Sequence, residues 1–478
     1  MNGYEMVIGL ETHIELKTKS KIFCSCSTAF GAAPNTQVCP VCTGMPGTLP
    51  VLNAQAVDYA VTAGLATNCT IASFSKLDRK NYFYPDLPKA YQISQYDLPL
   101  CSNGYLTIET PEGEKRIGIT RIHIEEDAGK LIHGKEGTYI DFNRCGVPLI
   151  EVVSEPDLRS AAEVKAYLQK LRAIMLYIGV SDCRMNEGSL RCDVNLSVRK
   201  KGEQAFGTRC EMKNLNSFVF ITKAIEYEFR RQCELLEHGG RVEQETRRFD
   251  QATGKTYSMR SKEEADDYRY FPDPDLPPIE ITPQRLERLR SAIPQLPDKR
   301  KQDYIRLFGL PSSCAELLVS DKYVADYFEQ AAPLCRDKVE LANLITGEIF
   351  RLMGENNASV IPVSPAHLAK AADMASEGEI NRGTAKKLIA ALWEENCDPA
   401  EYVRRHNLRQ INDPDTLTEL CRKAVEQNPQ ALRDYLGGKQ AALQALLGKA
   451  MGLASGQANP ALLRQKMDEL LKEQAEGK

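Results

Sequence analysis

The stretch Gly9-Leu-Glu-Thr-His-Ile-Glu-Leu16 is the strongest fold signal in the chain. Apolar residues alternate with Glu11, His13 and Glu15, and a period of two is typical of a β-strand with one buried face. The polar face would carry two carboxylates flanking an imidazole, spaced about 7 Å apart. Such donors suit a divalent cation if other strands add oxygen ligands. By itself the pattern also fits an edge strand with a solvated charged face.

Further segments repeat this alternation and strengthen the first interpretation. In one of them Arg121, His123 and Glu125 share the polar face, opposite Glu126. Glu151 is the one carboxylate of an apolar strand, where an ionised group is costly without a partner. We therefore predict an antiparallel sheet with one face open to polar ligands. The segments cover residues 117–127, 139–144, 148–153 and 191–199, with 211–213 as the end of a hairpin mate of the last.

The cysteines near the N-terminus form two close pairs. Cys24-Ser-Cys26 is followed by twelve residues and then by Cys39-Pro-Val-Cys42. Two such pairs separated by a short loop predict a tetrathiolate zinc site, although C-x-C is less common than C-x-x-C. Because four thiolates close the coordination sphere, the zinc would be structural. The alternative is a set of unliganded thiols in a loop rich in Gly and Pro.

A loop at residues 76–86 combines cations with aromatic residues. Its sequence, Lys-Leu-Asp-Arg-Lys-Asn-Tyr-Phe-Tyr-Pro-Asp, has little periodicity. Arg79, Lys80 and Tyr82 suit phosphate binding and stacking on a base or a ribose. The alternative is a packed aromatic loop with solvated cations.

Composition sets the broad class of the protein. A chain of 478 residues predicts two to four domains. The formal net charge of −4 means that any contact with nucleic acid must be local. No apolar run reaches membrane-spanning length, so we expect no membrane association. Fifteen cysteines without an export signal indicate thiols or metal ligands, and we expect a cytoplasmic protein.

The order of elements predicts an α+β fold followed by all-α regions. Ser160 and Glu163 form a capping box that opens a helix behind the sheet. Strand patterns end near residues 294–298, and short helices follow, one of which begins at Ser364-Pro365. We predict a sheet domain at 1–295 with the cysteine knuckle at 24–42, a helical domain at 296–407 and a tail domain at 408–478.

The chain contains the long motifs Val7–Leu16, the Cys24–Cys42 knuckle, Asp78–Asp86, Lys89–Gln95, His123–Lys130, Pro148–Asp157, Asp267–Pro272 and Gly456–Pro460. Together they resemble the motifs of one family, the GatB subunits of the GatCAB-type aspartyl/glutamyl-tRNA(Asn/Gln) amidotransferases. The resemblance runs essentially from end to end. It implies a cradle domain similar in fold to glutamine synthetase, a helical domain and a YqeY-like tail.

The resemblance also implies a reaction and its partners. ATP phosphorylates the side-chain carboxylate of Glu or Asp mischarged on tRNA, and ammonia channelled from the GatA amidase then displaces phosphate. The small GatC protein holds the pair together in a heterotrimer. We find no ammonia-generating site in this sequence, which fits that division of labour. Whether Gln-tRNA(Gln), Asn-tRNA(Asn) or both are formed depends on which synthetases mischarge tRNA in the source cell.

The resemblance implies roles for particular residues. It places catalytic Mg²⁺ on Glu11, His13, Glu125 and Glu151, the positions that alternation also selects, because metal ions neutralise charge in phosphoryl transfer. By charge and position we assign Lys80 to catalysis and, with Arg79 and Tyr82, to ATP or phosphate binding. The helical and tail domains would grip the tRNA. Their candidate backbone contacts are Lys439 and Lys449.

The sequence leaves two rival functions open. The first is a stand-alone ligase that joins ammonia to the carboxylate of a small molecule, which the long helical extension disfavours. The second is a zinc-containing tRNA-binding protein without chemistry of its own. Glu125→Gln tests the second rival. Loss of ATP hydrolysis with tRNA binding intact would exclude a protein that only binds tRNA.

Overall fold

The computed structural model describes residues 3–261 and 265–476. The chain forms two compact units, Met1–Leu296 and Pro297–Lys478. Among the described residues, the first unit contains the strands and four α-helices, and the second is helical. This arrangement confirms the predicted α+β class.

The elements of the first unit follow the alternation and capping signals of the sequence. The strands are β1 (Tyr4–Glu15), β2 (Thr70–Ile71), β3 (Phe74–Ser75), β4 (Asp78–Asn81), β5 (Tyr91–Ser94), β6 (Cys101–Thr110), β7 (Gly113–Glu126), β8 (Lys130–His133), β9 (Thr138–Asp141), β10 (Pro148–Ser154), β11 (Leu190–Lys200), β12 (Cys210–Lys213), β13 (Glu245–Asp250), β14 (Lys255–Ser261), β15 (Phe271–Pro272) and β16 (Ile279–Glu280). The helices are α1 (Ala54–Ala66), α2 (Ala161–Tyr177), α3 (Phe218–Glu237) and α4 (Pro283–Ser291).

A nine-stranded sheet organises the first unit. Its order is β14-β13-β12-β11-β1-β10-β7-β6-β2, and only the β12–β13 pair is parallel. Strand β1 therefore lies near the middle, paired with β11 on one side and β10 on the other. Short strands form separate sheets of order β15-β4-β5, β16-β3 and β8-β9.

The two faces of the sheet differ as the alternation predicts. Ile8, Leu10 and Ile14 of β1 are buried in a core cluster that also contains residues of α2 and α3. Ser160 caps helix α2, and its hydroxyl accepts a hydrogen bond from the backbone N–H of Glu163 at 3.1 Å, as the capping box predicts. The opposite face carries the polar side chains.

One predicted strand lies outside this sheet. The segment 139–144 contributes β9, which pairs with β8 in a separate hairpin. The backbone N–H of Gly134 donates to the carbonyl of Gly137 at 2.8 Å, so a tight local turn joins the two strands. Alternation alone does not distinguish a local hairpin from a strand of the main sheet, because both have a period of two.

The second unit is built from helices with N-terminal caps. Ser364 caps α10, as its position before Pro365 predicts. Buried hydrophobic residues form one cluster between Tyr304 and Val403 and another between Leu417 and Leu471. The helices are α5 (Pro297–Phe308), α6 (Ser312–Val319), α7 (Lys322–Ala331), α8 (Lys338–Leu344), α9 (Phe350–Glu355), α10 (Pro365–Ser376), α11 (Arg382–Glu394), α12 (Pro399–Arg405), α13 (Pro414–Glu426), α14 (Pro429–Leu436), α15 (Ala441–Leu453) and α16 (Pro460–Glu476).

Membrane-spanning helices are not found in the described part of the chain. None of its helices combines the length and the apolar character that a bilayer crossing requires.

Candidate active site

Strand register brings the polar side chains of the central sheet together. His13 of β1 lies opposite Glu151 of β10, and Glu151 lies opposite His123 of β7. On the other side of β1, Glu11 lies opposite Asp193 of β11. Because directly opposed residues of antiparallel strands share a face, these side chains form one polar surface.

His13, Glu125 and Glu151 form a group of side chains that could hold a metal ion, which we call the first cation cluster. Their ligand atoms lie within 4.8 Å of one another. The Nε2 atom of His13 is 3.4 Å from Oε2 of Glu151. Both carboxylates are buried, and a buried pair of carboxylates with an imidazole can bind a divalent cation. Three of the four residues assigned to magnesium therefore meet at one point.

Neighbouring side chains fix the orientation of Glu125. Its Oε1 accepts a hydrogen bond from the Ser94 hydroxyl at 2.7 Å, and its Oε2 accepts one from Nε2 of Gln92 at 3.3 Å. His123 adds a third contact, with Nε2 3.2 Å from Oε1 of Glu125 and 3.5 Å from Oε2 of Glu151. Alternation places His123 on the polar face, but His123 is not among the predicted site residues. The strand alternation was the signal that could have included it.

Glu11 belongs to a second cation cluster, with Asp193 and Glu211. The ligand atoms of these three residues also lie within 4.8 Å of one another. Nδ2 of Asn195 donates to Oε1 of Glu11 at 2.9 Å. The structure therefore divides the four residues assigned to magnesium between two adjacent groups. Asp193 and Glu211 are not among the ligands predicted from the sequence, although both lie on strands with the predicted alternation.

Lys213 and Thr246 hold the second cluster in place. Nζ of Lys213 lies 2.5 Å from Oδ2 of Asp193 and 3.2 Å from Oε1 of Glu211. The Thr246 hydroxyl donates to Oε2 of Glu211 at 2.9 Å. The ammonium group partly neutralises the carboxylates, and a divalent cation would complete that neutralisation.

Both clusters line one cleft of about 570 Å³. Lys80 of β4 lines the cleft beside the aromatic ring of Tyr268, with 4.9 Å between its Nζ and the ring centroid. Tyr270 also lines the cleft and stacks on Tyr96 with 4.5 Å between the ring centroids. A cation beside the first cluster and aromatic rings in the wall of the cleft suit a ligand that carries both phosphate and a base.

Arg79 and Tyr82 lie differently from Lys80. Nε of Arg79 is 2.6 Å from Oδ2 of Asp273, and its guanidinium stacks 4.3 Å from the ring centroid of Tyr91. It projects from the opposite face of β4 and is not among the residues that line the cleft. The Tyr82 hydroxyl donates to Oε1 of Gln92 at 3.3 Å. Tyr82 thus touches the residue that orients Glu125. Phosphate binding by Arg79 and Tyr82 stays a prediction.

The close packing of charges shifts the ionisation of the cleft. Burial alone would lower the pKa of His13, but Glu151 and, more weakly, Asp193 raise it to about 9. Burial likewise opposes the charged forms of Glu151 and Lys80. The histidines and Lys80 nevertheless hold the pKa of Glu151 well below its usual range, and Glu125 chiefly holds the pKa of Lys80 above its own. At neutral pH the cleft therefore contains ionised carboxylates, a Lys80 ammonium and a protonated His13.

The four cysteines of the predicted knuckle converge. The sulfur atoms of Cys24, Cys26, Cys39 and Cys42 lie within 4.8 Å of one another. Four sulfurs around Zn²⁺ with bonds of about 2.3 Å lie about 3.8 Å apart, so the spacing fits a tetrathiolate site. The backbone N–H of Cys39 donates to Sγ of Cys42 at 3.2 Å. This hydrogen-bond pattern favours a thiolate at Cys42, whose pKa is lowered to about 4, chiefly by a hydrogen bond from Cys24.

The candidate tRNA contacts lie in the second unit. Lys439 follows α14 and is exposed, with its Nζ 3.2 Å from Oδ1 of Asp434. Lys449 is exposed on α15. Both side chains are accessible to a ligand, and their contact with tRNA stays a prediction.

Comparison with known families agrees with the sequence resemblance. Residues 6–287, which contain both cation clusters and the cysteines, match the family model described as GatB/GatE catalytic domain. The chain belongs to the GatB/GatE family. Residues 326–471 match the model described as GatB domain. The predicted family membership is therefore confirmed over both units of the chain.

Similar full-length relatives share one name, that of the B subunit of aspartyl/glutamyl-tRNA(Asn/Gln) amidotransferase. The protein of this name from Caldicellulosiruptor saccharolyticus is 54% identical over 480 residues, covering 99% of each chain. That from Caldanaerobacter subterraneus is 52% identical over 471 residues, covering 98% of this chain and 99% of its own. That from Carboxydothermus hydrogenoformans is 50% identical over 483 residues, covering 98% of this chain and all of its own.

Proposed function

We propose that this chain is the GatB component of a tRNA-dependent amidotransferase, a carbon–nitrogen ligase. It uses ATP to activate the side-chain carboxylate of Glu-tRNA(Gln), Asp-tRNA(Asn) or both. Ammonia from glutamine, delivered by a GatA amidase, then gives the amidated tRNA. A small GatC protein completes the heterotrimer. The family match and the name that the full-length relatives share support this assignment.

The observation that carries the proposal is the pair of cation clusters beside Lys80 in one cleft. Phosphoryl transfer needs several positive charges around a triphosphate and a carboxylate that attacks in line. The first cluster offers one imidazole and two carboxylates, and the second offers three carboxylates. Oxygen-rich sites of this kind fit Mg²⁺ better than a softer metal. Bound Mg²⁺ would neutralise phosphate charge.

The residues of the cleft would act on two successive steps. In the first, a carboxylate oxygen of the aminoacyl group attacks the γ-phosphorus of ATP, the bond to the bridging oxygen breaks, and ADP leaves. The Lys80 ammonium stabilises the negative charge of the transferred phosphoryl group. In the second, the ammonia nitrogen attacks the acyl carbon, phosphate leaves, and the nitrogen loses a proton. Gln92, Ser94 and His123 keep Glu125 oriented throughout.

The cysteine knuckle would hold a structural Zn²⁺. All four cysteines are free thiols within the distance that one metal ion spans, and no open ligand position remains for chemistry. The knuckle would thereby fix the loop at 24–42 without taking part in the reaction. The proposed Zn²⁺ would therefore have a structural role only.

The regions beyond the sheet would hold the tRNA. We retain the division into a cradle domain similar in fold to glutamine synthetase at 1–295, a helical domain at 296–407 and a YqeY-like tail at 408–478. Lys439 and Lys449 are exposed cations of the tail that suit contacts with the phosphate backbone.

The cysteines of the chain are free thiols, which fits the reducing cytoplasm where we expect the protein to act.

Glu125→Gln tests the proposal directly. The full chain is co-expressed with its amidase partner, and ATP turnover is measured in Mg²⁺ with and without Glu-tRNA(Gln). We expect the wild type to hydrolyse ATP only with mischarged tRNA, and Glu125→Gln to lose that turnover while it still binds tRNA. Glu114→Gln, an exposed position of the same strand, is the matched control. Equal turnover by Glu125→Gln and the wild type would contradict the catalytic assignment.

A further inference from the structure

Lys21 is a fully buried lysine beside the cysteine knuckle. Its side chain is among the largest buried side chains of the described chain, with 0% relative exposure of the residue. Its Nζ donates to the carbonyl oxygen of Phe142 at 3.2 Å and lies 3.6 Å from Sγ of Cys42. Among the described residues, no carboxylate forms an ion pair with it. A buried ammonium is unfavourable without an anionic partner, and the Cys42 sulfur, 3.6 Å from Nζ, can carry the required charge as a thiolate.

The charge of a loaded knuckle supplies that partner. One Zn²⁺ with four thiolates carries a net charge of −2, and a neighbouring ammonium reduces the local charge to −1. Cys42 is the buried member of the four. Its sulfur receives the Cys39 backbone N–H at 3.2 Å as well as the Lys21 ammonium. Both are donors, as a metal-bound thiolate requires of its surroundings.

We propose that Lys21 is the counter-cation of the metal–thiolate site and that its ammonium stabilises the metal-loaded knuckle through Cys42. The inference rests on the zinc site proposed above. Lys21 is a positioning residue, because it contacts the ligand Cys42 and is not itself a metal ligand.

The same side chain connects the knuckle to the catalytic sheet. Phe142, which accepts from Nζ, begins the segment 142–147, and the backbone N–H of Ile22 donates to the Gly146 carbonyl at 2.8 Å. This segment leads directly into β10, the strand that carries Glu151. Lys21 therefore holds the metal loop against the residues that precede a catalytic strand. Loss of the metal would free one end of this connection.

Zinc affinity of the full chain tests the proposal. The variants are Lys21→Met, which removes the charge, and Lys21→Gln, which keeps a hydrogen-bond donor for the Phe142 carbonyl. Lys19→Met, at an exposed position two residues earlier, is the matched control. Affinity is measured by competition with a chromophoric zinc chelator. We expect Lys21→Met and Lys21→Gln to bind zinc about 10–100-fold more weakly, as for other partners of metal ligands, and Lys19→Met to match the wild type.

Thermal unfolding with and without zinc separates this role from ordinary packing. We expect Lys21→Met to lower the Tm of the zinc-loaded protein more than that of the zinc-free protein, because the ammonium faces a net charge of −2 in the loaded site but only the Cys42 thiolate without metal. An equal decrease in both forms would make Lys21 a packing residue and overturn the proposal. Wild-type affinity in Lys21→Gln would show that hydrogen bonding suffices, which also overturns it. A wild-type chain that binds no zinc would overturn the proposed metal site itself.

Discussion

The protonation of His13 determines how the first cation cluster responds to pH. Burial disfavours the charged imidazole, but Glu151, with its Oε2 3.4 Å from Nε2, acts together with Asp193 and Glu125 to outweigh burial and bring the pKa of His13 to about 9. A metal ion binds only the neutral imidazole. Cation binding at neutral pH must therefore release one proton from His13.

The size of the effect follows from that pKa. Two pH units below a pKa of about 9, about one imidazole in 100 is neutral, so the apparent affinity at pH 7 is about 100-fold below its limit. At about 1.4 kcal/mol for each pKa unit, this competition costs about 2.7 kcal/mol of binding free energy. The affinity should rise as pH rises toward about 9 and level off above it, because no proton then remains to be displaced.

Manganese binding provides the assay. Mn²⁺ suits carboxylate sites, and its free form is measured by electron paramagnetic resonance during a titration of the zinc-loaded chain. From about pH 6.5 to about pH 7.5 we expect the affinity of one site to rise about tenfold. The cluster of Glu11, Asp193 and Glu211 contains no histidine and serves as an internal reference. His13→Gln should abolish the pH-dependent component alone.

Two results would refute this reasoning. The first is an Mn²⁺ affinity of the wild type that does not change over this pH range. The second is a His13→Gln variant that keeps the full pH dependence, since the proton would then come from another group.

Three further predictions concern other parts of the chain. Glu228→Ala should lower the free energy of unfolding by about 3 kcal/mol in denaturant titrations, because buried Glu228 accepts from Arg231 at 2.6 Å; an unchanged midpoint would contradict this. Cys39→Ser should lose bound zinc, measured by elemental analysis, and a chelator should then lower the Tm of the wild type but not of the variant. Lys439→Ala and Lys449→Ala should each weaken tRNA binding and reduce its salt slope by about one, whereas Lys135→Ala, at an exposed position, should leave both unchanged.

Local sequence patterns identified most of the elements of the site. Alternation placed Glu11, His13, Glu125 and Glu151 on polar strand faces, because a period of two separates the faces without knowledge of the neighbours. The spacing of Cys24, Cys26, Cys39 and Cys42 likewise predicted their convergence, since a short loop keeps both pairs close.

The positions of the Arg79 and Lys80 side chains in the loop at 76–86 were harder to predict from the sequence. Composition predicted that Arg79 and Lys80 would act together, yet adjacent residues of β4 project from opposite faces. Lys80 lines the cleft, and Arg79 pairs with Asp273. The sequence did not reveal that this segment forms a strand, because it is only four residues long and has little hydrophobic periodicity.

The sequence by itself determined which residues of β1, β7 and β10 face the ligand side of the sheet, the position of the cysteine knuckle and the family of the chain. The tertiary structure decided which strands are neighbours. Strand β1 lies between β10 and β11, so Glu11 meets Asp193 while His13 meets Glu151, and four expected ligands divide between two clusters. Pairing between strands so distant in sequence depends on the whole core, and a slip of one residue would turn every side chain to the other face.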